Sequence, residues 1–356
     1  MREIVLEGGF GIENLTARDV EVPTPGEREL LVRMEAASLN YVDLAIIEGT
    51  LDPSLRLPFV PVADGAGVVE QVGPLVDGFR VGDLVTTMYI PPWRSGRYER
   101  RYMSLAIRPG GGHVPGQLVQ YKLFTPEEVV LAPPYLSATE AATLPIAALT
   151  AWNALAYGEA RAGDAVLIYG TGGVSLFALQ FAKLLGLRTI ITSRSDEKLQ
   201  RATDLGADCT INYAETADLA HDVAEAGGPD GIALIVETVG GDNLGASISF
   251  VRPEGHISVV GFLAGVAATI NLVELNLNRV TLTGVSVGSA QDFGDMNRAL
   301  AQHRMRPVID STYALTDAAA AFRRLKSGRH FGKVVICVGT TLSTPIKSNL
   351  VGDDAI

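Results

Sequence analysis

The stretch YGTGGVSLF, residues 169–177, stands between the apolar run AVLIY and the apolar stretch LFALQFAKLL. The run has the length and unbroken apolarity of a strand buried on both faces, and Leu176, Phe177, Phe181, Leu184 and Leu185 recur at helical spacing after it. A strand, a glycine turn and a helix in that order form the context in which a glycine motif carries meaning. Gly170 permits the tight turn, and Gly172 lets backbone N–H groups approach a pyrophosphate. The helix start adds its partial positive charge. Gly170, Thr171, Gly172, Gly173 and Val174 are therefore candidate cofactor-binding residues. Ser175 takes the place of a third glycine, whose task is close packing of helix on strand, and serine is small enough for it. The bland alternative is a structural turn without a ligand.

Outward from this turn the chain alternates. RTIITS, the helix DEKLQRATDLG, CTINY, IALIVE, HISVVGF and VTLTGVSVG follow in sequence, which predicts a doubly wound parallel sheet of the α/β class. The second strand leads into ITSRSDEK. An NAD site places an acid at that strand end for the ribose hydroxyls, and here Ser193 occupies it, with Arg194 next and Lys198 on the following helix. A hydroxyl and two cations suit a 2′-phosphate, so the expected cofactor is NADPH. Solvated surface charge is the alternative for Arg194 and Lys198.

The first third of the chain has another rhythm. In ELLVRMEAA, Val32, Met34 and Ala36 alternate with Arg33 and Glu35, the period of a half-buried strand, and GAGVVEQVG and FRVGDLVTTMYI continue in short runs. A β-rich domain of many short strands is expected. After Ser289 come a helix, extended PVIDSTYAL, a second helix and KVVICV; the polar tail from Thr340 reads as frayed. A chain of 356 residues is long for one core. The composition, 47% hydrophobic and 19% charged with 38 glycines, is that of a globular protein rich in turns. A net charge of −11 repels nucleic acid and anionic lipid, and the sequence offers neither as partner. Residues 141–157 carry no charge but are alanine-rich with Pro145 and Asn153 inside, which reads as a buried, bent helix and not a membrane span. Two cysteines, Cys209 and Cys337, and a start without a targeting pattern point to the cytoplasm.

TLPIAALTAW, GTGGVSLFALQFAK, SDEKLQRATDLGAD, INY and a closing FGKVVI, behind a strand-rich first part, resemble the medium-chain dehydrogenase/reductase superfamily, in its zinc-free quinone oxidoreductase-like branch. The resemblance extends over residues 1 to about 338. It implies a GroES-like catalytic domain from residues 1–127 and 290–356, with a Rossmann domain, 128–289, inserted between them. Where zinc-dependent relatives carry ligands, this chain has Asn40, then Val62, Ala63 and Asp64, then Ile146. With two cysteines in all, it also lacks the lobe of four that holds a structural zinc. No zinc is expected.

Without a Lewis acid, hydride transfer to a simple ketone lacks stabilisation for the alkoxide, whereas a quinone or enone spreads the developing charge and needs only hydrogen-bond donors. The resemblance places the donors in SLNYVDL: Asn40 as an amide donor to the substrate oxygen, Tyr41 as a possible acid competing with water, and Asp43 as an orienting or capping residue. It also implies Thr150 beside the nicotinamide, Tyr213 over the adenine side, the backbone of Gly261, Phe262, Val287 and Gly288 around the cofactor, and Lys333 reaching toward it. Packing is the alternative for each.

Residues 91–116 hold Arg94, Arg97, Arg100, Arg101 and Arg108. This loop reads either as a lid that recruits an anionic substrate, with Trp93 or Tyr98 against its ring, or as a solvated, ion-paired loop. The five histidines, His113, His221, His256, His303 and His330, show no ligand or triad spacing. The expected activity is metal-independent, NADPH-dependent reduction of a quinone or activated C=C. A zinc-independent carbonyl reductase or alcohol dehydrogenase, and a non-catalytic NADPH-binding protein, are the alternatives. A homodimer is expected from the resemblance, with VTLTGVSV suited to an edge.

Overall fold

The computed structural model describes residues 1–339, so the tail from Thr340 lies outside the described residues. The chain forms two compact units, one of Met1–Pro145 with the chain from Ile309 onward, the other of Ile146–Val308.

The first unit opens with strands β1 (Arg2–Leu6), β2 (Leu15–Asp19) and β3 (Leu30–Ser38) and helix α1 (Tyr41–Ile47). Strands β4 (Asp64–Val72), β5 (Leu84–Thr87), β6 (Tyr121–Phe124) and β7 (Val129–Leu131) and helix α2 (Ala138–Ala141) follow. In β3, Val32, Met34 and Ala36 are buried while Arg33 and Glu35 are half-buried, as the alternation requires. The unit closes with β14 (Ile309–Ala314), α10 (Ala318–Lys326) and β15 (Lys333–Cys337). β15 pairs antiparallel with β3, Val335 opposite Ser38 and Cys337 opposite Ala36, so the seven-stranded sheet, ordered β14-β15-β3-β4-β5-β7 with β6 also paired to β3, takes strands from both ends of the chain.

The second unit holds α3 (Leu149–Tyr157), β8 (Ala165–Tyr169), α4 (Gly173–Leu184), β9 (Arg188–Ser193), α5 (Asp196–Asp204), β10 (Cys209–Asn212) and α6 (Leu219–Gly227). It continues through β11 (Ile232–Glu237), α7 (Asn243–Phe250), β12 (Val251–Val259), α8 (Leu272–Leu277), β13 (Thr281–Gly284) and α9 (Ala290–His303). Its six strands are parallel in the order β10-β9-β8-β11-β12-β13. Every residue of β8 and β11 is buried, which is why their sequences are apolar runs, interrupted only by Glu237 at the end of β11. Strand order reverses between β8 and β11, the switch point beside which ligands of such sheets bind.

The unit borders fall later than the sequence suggests. Residues 128–145 stay with the first unit: Ala36, Ala66, Ala141, Ala142 and Val335 share one core cluster, and the Thr86 hydroxyl donates to Ala141 O at 3.1 Å. Residues 290–308 stay with the second, since α9 packs on α3 and the Gln180 amide donates to Arg306 O at 2.9 Å. Strand β7, Val129–Leu131, pairs with β5 of the first unit just past the boundary the resemblance implied. The expected bend is a π-helical turn, Leu144–Ala148, around Pro145, which has no N–H to give to a helical ladder. Among the described residues no helix is long and apolar enough to cross a membrane.

Candidate active site

The glycine turn joins β8 to α4 at the switch point. Gly170 takes φ 72°, a conformation that costs an L side chain but not glycine, and Gly172 is extended at the helix cap. No side chain caps α4, which leaves its first backbone N–H groups to another acceptor. Ser175 is buried and its hydroxyl donates to Tyr169 O at 2.7 Å, so the residue replacing the third glycine bonds the strand's last carbonyl instead of separating helix from strand. Thr192 Oγ1 accepts the Gly170 N–H at 3.4 Å, tying the turn to β9. Thr171 is buried; Gly173 and Val174 are half-buried. An uncapped helix start behind a left-handed glycine fits the pyrophosphate of a dinucleotide.

At the end of β9, Ser193 is buried, and its Oγ accepts the Ser195 N–H at 3.3 Å. Arg194 beside it is exposed and Lys198, on α5, is half-buried. The Ser193 carbonyl accepts the Tyr213 N–H at 3.1 Å, which brings the exposed Tyr213 ring to this strand end. The structure thus groups Ser193, Arg194 and Tyr213 at the ends of the neighbouring strands β9 and β10.

On the other side of the switch point, Gly261 lies against the turn after β11: a Cβ there would sit 1.9 Å from Thr238 O, so only glycine fits. Phe262 is 40% exposed. Val287 adopts φ 52°, an outlier for a β-branched residue. Its carbonyl accepts the Asn153 amide at 3.0 Å, and a Cβ on Gly288 would come within 2.1 Å of the same nitrogen. Asn153 was not among the expected site residues. The signal was present: it is the amide inside the uncharged run 141–157, and Thr150 is buried one helical turn before it on α3. Glu237, fully buried at the end of β11, was missed as well.

The first unit has its own polar cluster. Asn40 caps α1, and Asp43 closes the capping box, its Oδ2 accepting the Asn40 N–H at 2.8 Å and its Oδ1 the Ala63 N–H at 2.9 Å. The Asn40 amide donates to Asp64 Oδ2 at 2.8 Å, and its Oδ1 accepts from Lys333 Nζ at 2.6 Å; Lys333 also donates to Leu39 O at 2.7 Å. All four side chains are buried. Burial pushes the Asp43 carboxyl up to about 6, against its hydrogen bonds and the Lys333 charge. Burial pulls Lys333 below its ordinary range, against Asp64 and Asp43. Tyr41, first residue of α1, is 45% exposed. Lys333 directs its ammonium at Leu39 and Asn40, a placement the resemblance did not foresee.

These residues do not fit a Cys/His zinc site. At the positions matched to the ligand motifs the chain offers an amide, three apolar side chains and one carboxylate whose Oδ2 accepts from Asn40. Among the described residues no group of three or more His, Cys, Asp or Glu is arranged to hold a metal ion.

Trp93 is buried within the arginine-bearing loop, edge-on to Tyr98 at 5.0 Å between ring centroids and stacked on Tyr102 at 6.0 Å. Arg108 lies over the Tyr89 ring and donates to the hydroxyls of Tyr89 and Tyr98, both at 3.3 Å; Arg101 pairs with Glu99 and covers Tyr102. The loop packs its aromatic rings and two of its arginines on one another.

The family model described as zinc-binding dehydrogenase matches residues 173–302, and the one described as alcohol dehydrogenase GroES-like domain matches residues 26–134. A zinc-type alcohol dehydrogenase-like protein of Schizosaccharomyces pombe is 38% identical over 347 residues, 94% of this chain and 99% of its own. A quinone oxidoreductase of Lama guanicoe is 29% identical over 327 residues, 89% of this chain and 91% of its own. Among solved structures, that of a putative alcohol dehydrogenase from Sinorhizobium meliloti 1021 matches with a TM-score of 0.85 and 42% identity, covering 91% of this chain and 94% of its own.

Proposed function

The chain belongs to the medium-chain dehydrogenase/reductase superfamily, a family of NAD(P)H-dependent oxidoreductases, and from that premise we propose that it reduces a quinone or an enone with NADPH and without a metal. The observation that carries the reading is the cluster at the zinc-ligand positions, where Asn40, Asp64 and Lys333 bond one another and neither thiolate nor imidazole is offered. Such residues offer no Cys/His ligands for a Lewis acid that would stabilise a ketone's alkoxide, and an acceptor that delocalises its own negative charge depends less on one. The Lama guanicoe relative, named a quinone oxidoreductase, agrees with that acceptor class.

The roles divide by unit. The chemistry a bound NADPH would supply is a hydride for the electron-poor carbon of the acceptor. The glycine turn, at the uncapped start of α4, would hold the pyrophosphate, and Ser193, Arg194 and Lys198 would hold the 2′-phosphate. Tyr41 donates a hydrogen bond to the acceptor's oxygen, and the proton that completes the reduction comes from its phenol or from water. Asn40 and Asp43 fix the start of α1 and so the backbone that carries Tyr41. The name of the Sinorhizobium meliloti structure favours a second reading, a metal-independent carbonyl reductase or alcohol dehydrogenase.

We also propose a homodimer in the cytoplasm. β13 is an edge of the parallel sheet, and Val266, Leu272, Val273 and Leu277 near it are exposed apolar residues that a second copy would cover. Light scattering that gives a monomer mass would refute the dimer.

Absorbance at 340 nm tests the activity, with EDTA-treated protein offered NADPH and NADH against a quinone, an enone, a ketone and a blank. Faster NADPH oxidation with quinone or enone, unchanged by chelator, is the expected result. Turnover of the ketone alone replaces the first reading by the second, and NADPH binding with no turnover across the panel favours a non-catalytic binding protein.

A further inference from the structure

We propose that Glu237 is a positioning residue for the glycine turn, holding Gly170 in place through Ser247 and Tyr169; the inference rests on the reading of that turn as the pyrophosphate site. Glu237 ends β11, the strand beside β8 at the switch point, and is fully buried. Both of its oxygens are engaged. Oε1 accepts the N–H groups of Val239 at 2.8 Å and Gly240 at 3.0 Å, and Oε2 accepts from the Asn243 amide and the Ser247 hydroxyl, each at 2.7 Å. These four donors are neutral, so the carboxylate is stabilised in the interior by hydrogen bonds, and each donor is fixed in direction by it.

The path continues from Ser247, whose oxygen lies 3.0 Å from the Tyr169 hydroxyl. With its single proton directed at Glu237, Ser247 accepts from Tyr169. Burial raises the Tyr169 phenol above its ordinary range, so it stays a donor at neutral pH. Tyr169 ends β8, and its carbonyl accepts the Ser175 hydroxyl at 2.7 Å and the Thr238 hydroxyl at 2.8 Å, the latter from the residue directly after Glu237. Both its side chain and its backbone are pinned, and the next residue is Gly170 at φ 72°.

The turn after β11 is fixed as firmly. Gly240 takes φ 71°, with room for no Cβ because Gly261 O would lie 2.6 Å away. A phosphate site made of backbone N–H groups has no side chains to adjust, so its affinity depends on those groups being held before the ligand arrives. The carboxylate supplies that restraint from inside the sheet, touching no ligand itself.

The test is isothermal titration of the full chain with NADPH and with adenosine 2′-monophosphate, which carries the adenine and the 2′-phosphate but no pyrophosphate. Ser247→Ala cuts the path while leaving Glu237 its two backbone bonds, and it should raise the NADPH Kd about 10-fold, the equivalent of one net hydrogen bond. The monophosphate Kd should not move. Glu237→Gln should do the same or more where it folds, and Tyr169→Phe should reproduce the effect of Ser247→Ala. An unchanged NADPH Kd in the folded variants, or an equal rise for both ligands, overturns the inference. Wild-type protein that binds neither NADPH nor NADH would overturn the cofactor reading beneath it, which is a separate result.

Discussion

Replacing Ser193 by Asp restores the acid that an NAD site would have at the end of β9. The substituted carboxylate keeps the local structure, because it also can accept the Ser195 N–H that Ser193 Oγ accepts at 3.3 Å. Ser193 is only 6% exposed, so the new charge is poorly screened and faces the place proposed for the 2′-phosphate. Two unit charges about 4 Å apart repel by roughly 1 kcal/mol in water and about 4 kcal/mol at an effective dielectric of 20. A 2′-phosphate carries up to about two charges, and the neighbouring Arg194 offsets part of the repulsion, so about 2–4 kcal/mol of lost NADPH binding is the working figure. That is roughly a 30- to 1,000-fold loss in kcat/KM. NADH has no 2′-phosphate, and its ribose hydroxyls gain a charged acceptor worth about 1 kcal/mol after desolvation, roughly a fivefold gain. The assay is kcat/KM for both nucleotides at 340 nm against one saturating acceptor, at low and high salt. Preference should swing toward NADH by at least about 100-fold, and the swing should shrink as salt screens the repulsion. A change of less than about threefold in the ratio, in a variant that melts like the wild type, refutes the assignment of this strand end to the 2′-phosphate.

Three further expectations follow from particular contacts. His256 is buried on β12 and its Nε2 has no hydrogen-bond partner among the described residues; burial holds its pKa below 6.5, so the unfolded chain binds the proton more readily. Stability is therefore lost as pH falls through about 6.5 toward the folded-state value, and His256→Gln should flatten the melting temperature between pH 7 and 5 relative to the wild type. Trp93→Ala removes the centre of the Trp93, Tyr98 and Tyr102 cluster and should cost about 3–5 kcal/mol in urea unfolding; an unchanged midpoint would favour the mobile substrate lid instead. Asn153→Leu keeps the bulk but removes the donor to Val287 O, leaving a buried carbonyl unpaired beside a left-handed valine, and should cost about 1–3 kcal/mol in the same measurement.

What could be read in advance was local. The glycine turn, the buried strands β8 and β11 and the alternation in β3 are written in consecutive residues, and periodicity identifies such elements. Ser193 and Arg194 are two neighbouring letters at a strand end, and the structure places them there. Contacts across long separations were not legible. Asn153 meets Val287 across 134 positions, and Ser247 meets Tyr169 across 78; neither spacing leaves a pattern in the chain. The unit borders were misplaced for a related reason. The resemblance gave the border at residue 128 without any contact to fix it, and the packing of Ala141 and Ala142 with Ala36 and Ala66 keeps residues 128–145 in the first unit. In the arginine-bearing loop, composition announced charge but not that Arg101 and Arg108 would lie over tyrosine rings.

The cluster in the first unit shows why a lysine 293 positions from Asn40 belongs to its chemistry. Asp43 and Asp64 are two carboxylates with almost no exposure, a burden the fold bears only if charge or hydrogen bonds answer it. Backbone N–H groups of Ala63 and Asn40 answer Asp43, the Asn40 amide answers Asp64, and the Lys333 ammonium supplies a positive charge facing both. Burial acts on each partner toward neutrality, raising Asp43 to about 6 and lowering Lys333, while their mutual attraction acts the other way. Asn40 sits between them with its oxygen toward the lysine and its nitrogen toward Asp64, the one orientation of the amide that satisfies both. Its amide oxygen and nitrogen are thereby engaged within the protein, while Tyr41, the next residue, opens the helix that Asn40 caps and is 45% exposed. β15 reaches this cluster because it pairs with β3 two residues before Asn40, at Ser38. The return of the chain after residue 309 thus completes both the sheet and the charge balance of the site.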